Sequence, residues 1–466
     1  MLMLKEKIKK LFPRTYSFYR QVLANLAAFF YGWPGEKLIV IGITGTAGKS
    51  TAVNLIAKIL DDEGFRVGLI SGLNFKINKK EWPNTTRMTM PGPFYLQKLL
   101  HQMVEENCQY AVIETTSQGL VHQRHLGINY DLTVFLNLLP EHLESHGSFE
   151  KYKQAKGFLF EALSKKKKII NGREIKKIKI INLDDKESSY FLNFKSDLTY
   201  GYTVKGFDSI KKDVAEKCDK IISPTKFEIK EDGSEFILEG IKFKTNLLSG
   251  FNLYNSLSAI AVCLAYGLNL EKIRKSLLEV DKIPGRLEII THQPFKVVID
   301  YAHTPDELLG IYEFFRRFKP DSRIIAVFGS CGGGRDKWKR EVLGEIASRF
   351  ADEIILTNED PYDEDPQEII EQIAQGISAS ASWRGGSAEG GKNRNHLYKI
   401  LDRREAIKKA LSLARIGDIV LITGKGAEKS MVVKGGKKIL WSDKGVVEKE
   451  LGITCGKLYN PTIDKN

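Results

Sequence analysis

From Leu38 to Gly64 the chain commits itself to one local structure. Leu38-Ile-Val-Ile-Gly-Ile43 is a short apolar run rich in β-branched residues, the mark of a strand buried on both faces. Gly45-Thr46-Ala47-Gly48-Lys49-Ser50-Thr51 follows, then a helical period from Ser50 to about Glu63 that Gly64 stops. Strand, glycine turn and helix in that order gather backbone N–H groups and a helix N-terminus around one point, which makes a cradle for phosphate. Lys49 is set to neutralise the β- and γ-phosphates, and the Ser50 hydroxyl to reach Mg²⁺. The common phosphate loop has a glycine where this chain has Ile43, so the spacing is an altered one. The motif predicts a nucleotide and leaves the reaction open.

Further runs continue the pattern. Val67 to Ser71, Tyr110 to Ile113 and Leu132 to Leu136 read as strands, and strands alternating with helices predict a mostly parallel sheet. Residues 165–245 read as irregular and lysine-rich, with antiparallel hairpins at 227–238 and 241–245. Asn252 to Tyr266 has a helical period. A second α/β set begins after Pro284-Gly285, with strands at 297–300, 323–328, 353–356 and 418–423. Residues 378–395, rich in Gly, Ser and Ala, read as a surface loop.

A length of 466 residues exceeds what one core usually holds. The five cysteines, Cys108, Cys218, Cys263, Cys331 and Cys455, are scattered without CxxC spacing. That pattern argues against a zinc site and a disulfide framework, and points to a reducing, cytoplasmic setting. The net charge of +13 owes much to the runs Lys165 to Lys168 and Lys176-Lys177. No basic stripe interleaved with aromatics accompanies them, so no nucleic-acid partner is expected and the runs read as a solvated face. Tyr16 to Trp33 is rich in aromatic and aliphatic residues, but Arg20, Gln21 and Asn25 interrupt it, which suits a membrane-spanning helix poorly. Lys5, Lys7, Lys9, Lys10 and Arg14 precede it. The segment reads either as a helix packed on the next domain or as one making peripheral contact with an anionic membrane surface.

Several motifs together resemble one family. Ile41-Gly-Ile-Thr-Gly-Thr-Ala-Gly-Lys-Ser-Thr51 looks like the nucleotide loop of Mur ligases, with the same altered glycine spacing. His142-Leu-Glu-Ser-His-Gly147, with Tyr152 and Ala155-Lys156, resembles the family's metal and modified-lysine segment. Gly250-Phe-Asn252 with Asn255 resembles its adenine-contacting helix start. Pro284-Gly-Arg-Leu-Glu288, Asp300-Tyr-Ala-His-Thr-Pro-Asp306, Gly329 to Asp336 and Gly424-Lys-Gly-Ala-Glu428 complete an ordered set covering nearly the whole chain. The Tyr-Ala-His-Thr-Pro wording is similar to the tripeptide-synthetase branch, which adds a diamino acid to UDP-N-acetylmuramoyl-L-alanyl-D-glutamate. The resemblance implies an α/β fold: a P-loop central domain with a mostly parallel sheet, plus a C-terminal Rossmann-like α/β domain. The expected division is an N-terminal helical segment at 1–36, a central ATP-binding domain at 37–284 and a C-terminal domain at 285–466.

The implied chemistry is amide-bond formation through an acyl phosphate, with ATP and Mg²⁺ as cofactors. Phosphoryl transfer is mostly positioning and charge neutralisation, so its site needs cations and metal ligands. By resemblance, Lys49, Glu114, His142 and Lys156 form the catalytic set. Ser50, Glu114 and His142 hold metal, and carbamylation turns Lys156 into a carboxylate that joins them. Gly45, Thr46, Ala47, Gly48, Lys49, Ser50 and Thr51 cradle the phosphates. Asn252 and Asn255 meet the adenine side, Arg286 the phosphates and Asp300 the ribose, with His303 near the phosphates. A site so divided implies closure over ATP.

The partners implied are an anionic muramoyl-peptide acceptor and an amino acid. Asn84, Thr85, Thr86, Thr116 and Arg124 match acceptor contacts; Arg335, Glu359, Asp360, Gly424 and Glu428 match contacts to the amino acid. This sequence departs from the family at several of these places. Gln118 stands where a His is usual, Thr115 and Thr116 where Val-Ser is usual, and Ala427 where a His is usual. Enzymes that select meso-diaminopimelate carry Asp-Asn-Pro-Arg, whose Arg grips the distal carboxylate; here Glu359-Asp360-Pro361-Tyr362 has no such charge. Glu428 is placed to hold a distal ammonium, which leaves lysine and ornithine open as the amino acid and does not fix which one is added. Few residues precede Leu38, so the usual UDP-binding domain is expected to be lacking. Two alternatives stay open: a related Mur or folylpolyglutamate-type ligase acting on a non-UDP acceptor, and a non-catalytic ATP-binding cell-wall scaffold.

Overall fold

The computed structural model describes residues 13–86, 88–291, 293–380 and 396–453. Most of the expected loop at 378–395, together with Cys455 and Lys5 to Lys10, lies outside them. The chain divides into two compact units, Met1–Ile283 and Pro284–Asn466.

The first unit is built on a nine-stranded sheet. Its order is Lys220–Ile222, Leu198–Tyr202, Ile178–Asn182, Leu132–Phe135, Ile39–Thr44, Tyr110–Glu114, Val67–Ile70, Asn74–Ile77 and Lys80–Pro83. The first seven run parallel, and the last two fold back as an antiparallel edge. Alternation along the central strand explains the burial. Ile41 and Ile43 join a core under helices Lys49–Asp62 and Gly250–Ala265, while Leu38 and Val40 join another with helices Pro93–Glu105 and Phe149–Leu163. A sheet covered on both faces demands such continuous apolar strands. Lys226–Lys230, Gly233–Leu238 and Ile241–Thr245 form a separate antiparallel sheet, as the hairpin pattern predicts. The N-terminal segment is a helix, Pro13–Phe30, packed against Pro93–Glu105.

The second unit has a six-stranded sheet in the order Glu288–Thr291, Lys296–Ile299, Ile419–Ile422, Ile324–Phe328, Glu353–Leu356 and His396–Lys399. All pairings are parallel except the first. Helices Pro305–Phe318, Lys339–Phe350, Pro366–Ala379 and Arg403–Leu413 connect its strands. Both sheets agree with the α/β class expected.

Two expectations need correction. The stretch 165–245 is not irregular, because it contributes the strands Ile178–Asn182, Leu198–Tyr202 and Lys220–Ile222. Nor are its lysine runs wholly solvated. Lys165, Lys166, Lys167 and Lys176 are exposed, but Lys168, Lys177 and Lys179 are buried. The Asp131 carboxylate explains two of them: it lies 2.5 Å from the Lys168 ammonium and 2.9 Å from that of Lys177. The carbonyls of Leu38 and Asn129 accept from Lys168, and that of Tyr130 from Lys177. Lys179 instead donates to the Leu192 and Phe194 carbonyls. Burial pulls Lys168 down to about 8, although Asp131 works against it.

Asp131→Asn removes the one carboxylate that both ammonium groups touch. Leaving buried charge uncompensated costs about 3–5 kcal/mol. Urea unfolding of the full chain should show the first unit's transition moved to lower denaturant by that amount, with the slope unchanged.

Candidate active site

The parallel strands of the first unit all end at one edge, and ligands of open α/β sheets bind outside the carboxyl ends of strands. At this edge lie the glycine loop after Thr44, Ser71-Gly72 after Ile70, Glu114 at its strand's end, Leu136 to His142 after Phe135, and Asp184 after Asn182. Register places Ile43 opposite Glu114 on one side and Val134 on the other.

Asn137 fixes the loop. Its Oδ1 accepts from the N–H groups of Thr46 at 3.0 Å and Ala47 at 2.9 Å, and its Nδ2 donates to the Ala47 carbonyl at 3.2 Å. The Thr46 hydroxyl accepts from Leu139 N–H at 3.0 Å and lies 3.1 Å from the Tyr152 hydroxyl. Gly48 turns the chain with φ 81°, and a Cβ there would stand 2.3 Å from Asn255 Oδ1. Only glycine fits, because the conformation is left-handed and the space is taken.

The family-type residues gather around this loop. Ser50 Oγ donates to Glu114 Oε2 at 2.9 Å, and Gly72 N–H to the same oxygen at 2.8 Å. Adjacent ligands of octahedral Mg²⁺, each about 2.1 Å from the ion, lie about 3 Å apart, so the Ser50 and Glu114 oxygens have a spacing that suits it. Among the described residues no cluster of three or more His, Cys, Asp or Glu side chains could hold a metal unaided. Lys156 is fully enclosed, with its ammonium 2.7 Å from the Gly45 carbonyl and over the Tyr152 ring. Burial first, then the nearby Lys49 charge, push it well below the ordinary lysine range, with Glu141 pulling the other way. Lys49 itself donates to the Thr46 carbonyl at 2.8 Å. His142, half-buried and left-handed at φ 57°, faces the Tyr152 ring, with its Nε2 3.7 Å from Glu141. His146 instead contacts the Ser117 hydroxyl at 3.1 Å.

Beside the loop is a cavity lined by Gly48, Asn137, Asn182, Tyr202, Phe251 and Asn255, among others. Asn255 donates to Asn252 at 3.0 Å, and Asn252 to the Leu248 carbonyl at 2.7 Å, so Asn255 faces the cavity from a braced position. Asn182 and Tyr202 carry no motif of their own: Asn182 ends a strand that Lys179 interrupts, and Tyr202 ends the polar strand Leu198–Tyr202 beside it. Asn137, one residue past an apolar run, carried no pattern of its own.

The residues matched to the acceptor form a separate group. Asn84 donates to the Ser71 carbonyl at 2.7 Å and accepts from the Thr86 N–H at 2.9 Å. Thr116 caps the short helix Ser117–Val121 through Gly119 N–H, so its hydroxyl has a structural task. Arg124 donates to the Met90 carbonyl at 2.7 Å. Thr85 lies between Asn84 and Thr86 on the same loop.

The second unit holds its own set. The Arg286 guanidinium stacks 4.5 Å over the Tyr301 ring. Asp300 accepts from the N–H groups of Leu287 and Ala302, and burial pushes its carboxyl up to about 6, against the pull of Arg286. His303 Nδ1 lies 3.0 Å from the Tyr301 carbonyl. Asp360 accepts from Lys425 at 2.9 Å and from Val432 N–H at 2.8 Å. Lys425 also contacts Glu428, and the two acids hold it charged despite its burial. The Glu428 charge first, then burial, raise the Tyr301 phenol, with Arg335 opposing. Glu359 accepts from the Cys331 thiol at 2.8 Å through Oε1, while its buried Oε2 has no partner among the described residues. Gly424 is what permits that carboxylate so close: a Cβ there would lie 2.3 Å from Oε2.

Comparison with known proteins bears on this arrangement. A model of the Mur ligase middle domain matches residues 43–263, and one of the Mur ligase glutamate ligase domain matches 285–426. A UDP-N-acetylmuramoyl-L-alanyl-D-glutamate--2,6-diaminopimelate ligase of Clostridium acetobutylicum is 36% identical over 438 residues, covering 92% of this chain and 81% of the relative. A UDP-N-acetylmuramyl-tripeptide synthetase of a Roseiflexus species is 37% identical over 442 residues, covering 93% and 82%. A solved UDP-N-acetylmuramoyl-L-alanyl-D-glutamate--2,6-diaminopimelate ligase superposes with a TM-score of 0.57 at 28% identity, covering 89% of this chain and 78% of that one. Folylpolyglutamate synthase of Mycobacterium tuberculosis shares the fold, with a TM-score of 0.64 at 15% identity over 87% and 92% of the two chains.

Gly48→Ala sets strain at a left-handed position, worth about 1–3 kcal/mol, against a contact with Asn255. Titration calorimetry with ATP should show affinity reduced by about tenfold or more, and the unfolding temperature of the unit should fall by a few degrees, as strain of that size requires.

Proposed function

The chain belongs to the Mur ligase family and is an ATP-dependent ligase that adds an amino acid to a muramoyl dipeptide in peptidoglycan synthesis, and from that premise we propose how its residues divide the work. The observation that carries the proposal is the meeting of Lys156, Lys49 and the Ser50–Glu114 pair on one glycine loop.

A carboxylate is a poor electrophile until its oxygen carries a phosphoryl group. Lys49 and the loop N–H groups hold the triphosphate and offset the charge that spreads over the transferred group. Lys49 gives up its bond to the Thr46 carbonyl to do so. Ser50 and Glu114 would hold Mg²⁺, whose charge would help to neutralise that of the phosphates. Lys156 is proposed to carry a carbamate. Only a neutral amine adds CO₂, and the enclosure of Lys156 beside another cation favours the neutral form. The product, a carboxylate, would join His142 as a ligand for a second metal ion. Asn255 and Asn252 meet the base in the cavity beside Gly48. Arg286 and His303 take phosphate oxygens and Asp300 the ribose hydroxyls. Asn84, Thr85, Thr86 and Arg124 receive the acceptor, and the Arg124 fork suits an anionic group.

The relatives' names specify UDP-N-acetylmuramoyl-L-alanyl-D-glutamate as acceptor and, for several, 2,6-diaminopimelate as the amino acid. We adopt the acceptor and refine the amino acid. Glu359 holds a buried carboxylate oxygen with no partner among the described residues, and such an atom calls for a donor when substrate arrives. Glu428, the other acid matched to the amino acid, is paired with Lys425. Tyr362 offers no charge to a distal carboxylate. Lysine or ornithine should therefore be used at least as well as diaminopimelate.

Phosphate release with ATP, the UDP-muramoyl dipeptide and each amino acid in turn tests this directly. A kcat/KM for diaminopimelate about tenfold or more above that for lysine and ornithine would sink the specificity proposal. In the same assay Lys156→Ala should lower kcat by about a thousandfold, with partial recovery when a short carboxylic acid such as acetate is added. Wild-type turnover in that variant would remove Lys156 from the metal site.

A further inference from the structure

Helix Pro13–Phe30 packs inside out. Ala24, Ala27 and Ala28 are its fully buried residues, while Phe29 and Phe30 are each 72% exposed and Phe18 is 66% exposed. Tyr19, Val22 and Leu26 continue the exposed face, at spacings that keep them on one side of a helix. A helix whose only task was to cover the next layer would turn its large apolar residues inward. The neighbouring helix Pro93–Glu105 extends the face with exposed Phe94 and Tyr95, and the Phe94 ring lies 6.4 Å from that of Phe30.

The charge around this face is mostly positive, with Glu105, paired to His101 at the far end of Pro93–Glu105, as the acid on that helix's exposed side. Helix Pro13–Phe30 holds no acidic residue. Lys98 is exposed one turn beyond Phe94, and the Lys166 ammonium lies 5.3 Å over the Trp33 ring just past the helix. Before it the sequence places Lys5, Lys7, Lys9 and Lys10 against the single acid Glu6, and Arg14 follows in the helix's own sequence. No helix among the described residues is long and apolar enough to cross a membrane. Aromatic and aliphatic side chains bordered by cations, on a helix too polar to insert, are the composition of a segment lying in a lipid interface. We propose that this face docks on an anionic phospholipid surface, holding the ligase against a membrane through the Phe18–Phe29 stripe with the basic residues at the headgroups. A face this rich in bulky apolar groups exceeds the scattered exposure of an ordinary surface, and the predominance of cations around it favours an anionic lipid surface over a protein partner.

Flotation of the full chain with vesicles tests the proposal. Recovery is expected with phosphatidylcholine mixed with phosphatidylglycerol, falling as salt rises, and little with phosphatidylcholine alone. A Phe18→Ser, Phe29→Ser double variant should partition about tenfold or more weakly while keeping its phosphate release in the absence of vesicles. Replacing Lys5, Lys7, Lys9 and Lys10 by Gln should abolish the preference for the anionic lipid. Wild-type chain that fails to float, or a double variant that floats as well as wild type, overturns the proposal. So does a wild-type dimer in light scattering that the double variant dissolves, since the face would then be an interface between copies.

Discussion

The Lys156 ammonium and the Gly45 carbonyl, 2.7 Å apart in a closed environment, join the nucleotide loop to the helix Phe149–Leu163. Burying an ammonium with a neutral acceptor is costly, and the cost falls on the charged form. On the proposal that Lys156 carries a carbamate, the burial that disfavours the cation would favour the neutral amine that adds CO₂, and the Lys49 charge that repels the ammonium would attract the resulting anion.

Around that contact the fold supplies position. Seven parallel strands bring their carboxyl ends to one edge, so residues far apart in sequence, from Gly45 to Tyr202, share a rim without long loops to carry them. Asn137 then does for the glycine loop what a ladder partner does for a strand, satisfying two N–H groups and one carbonyl with a single amide. The Gly48 turn is locked between that amide and Asn255. Rigidity of this kind lowers the reorganisation needed when phosphate arrives.

Much of this was legible in the sequence wherever the signal was contiguous. The strand, turn and helix around Gly48 announce themselves because three local rules agree. Lys156 and His142 stood out only through the wording around them. What escaped was stored in long-range pairing. Lys177 precedes and Lys179 interrupts Ile178–Asn182, so its apolar run is broken; Asp131, forty-odd positions earlier, compensates the first, and the Leu192 and Phe194 carbonyls the second. Without that strand, Asn182 has no sheet edge to stand on, and neither has Tyr202 on the strand Leu198–Tyr202 that pairs with it. Thr116 shows the opposite error of scale, since its hydroxyl is engaged by a local N-cap that a motif match does not weigh.

The neighbours Glu359 and Asp360 show why the amino-acid pocket resists reading from sequence. Both are buried acids on the same loop, one residue apart. Asp360 is spent on Lys425 and a backbone N–H, and so works as scaffold. Glu359 has only a thiol on one oxygen and the bare backbone of Gly424 beside the other. A glycine that admits a carboxylate, and a carboxylate left short of a donor, are separated by sixty-five positions and mean nothing apart. On the proposal that these residues meet the amino acid, the donor that Glu359 Oε2 lacks among the described residues would come from a substrate ammonium.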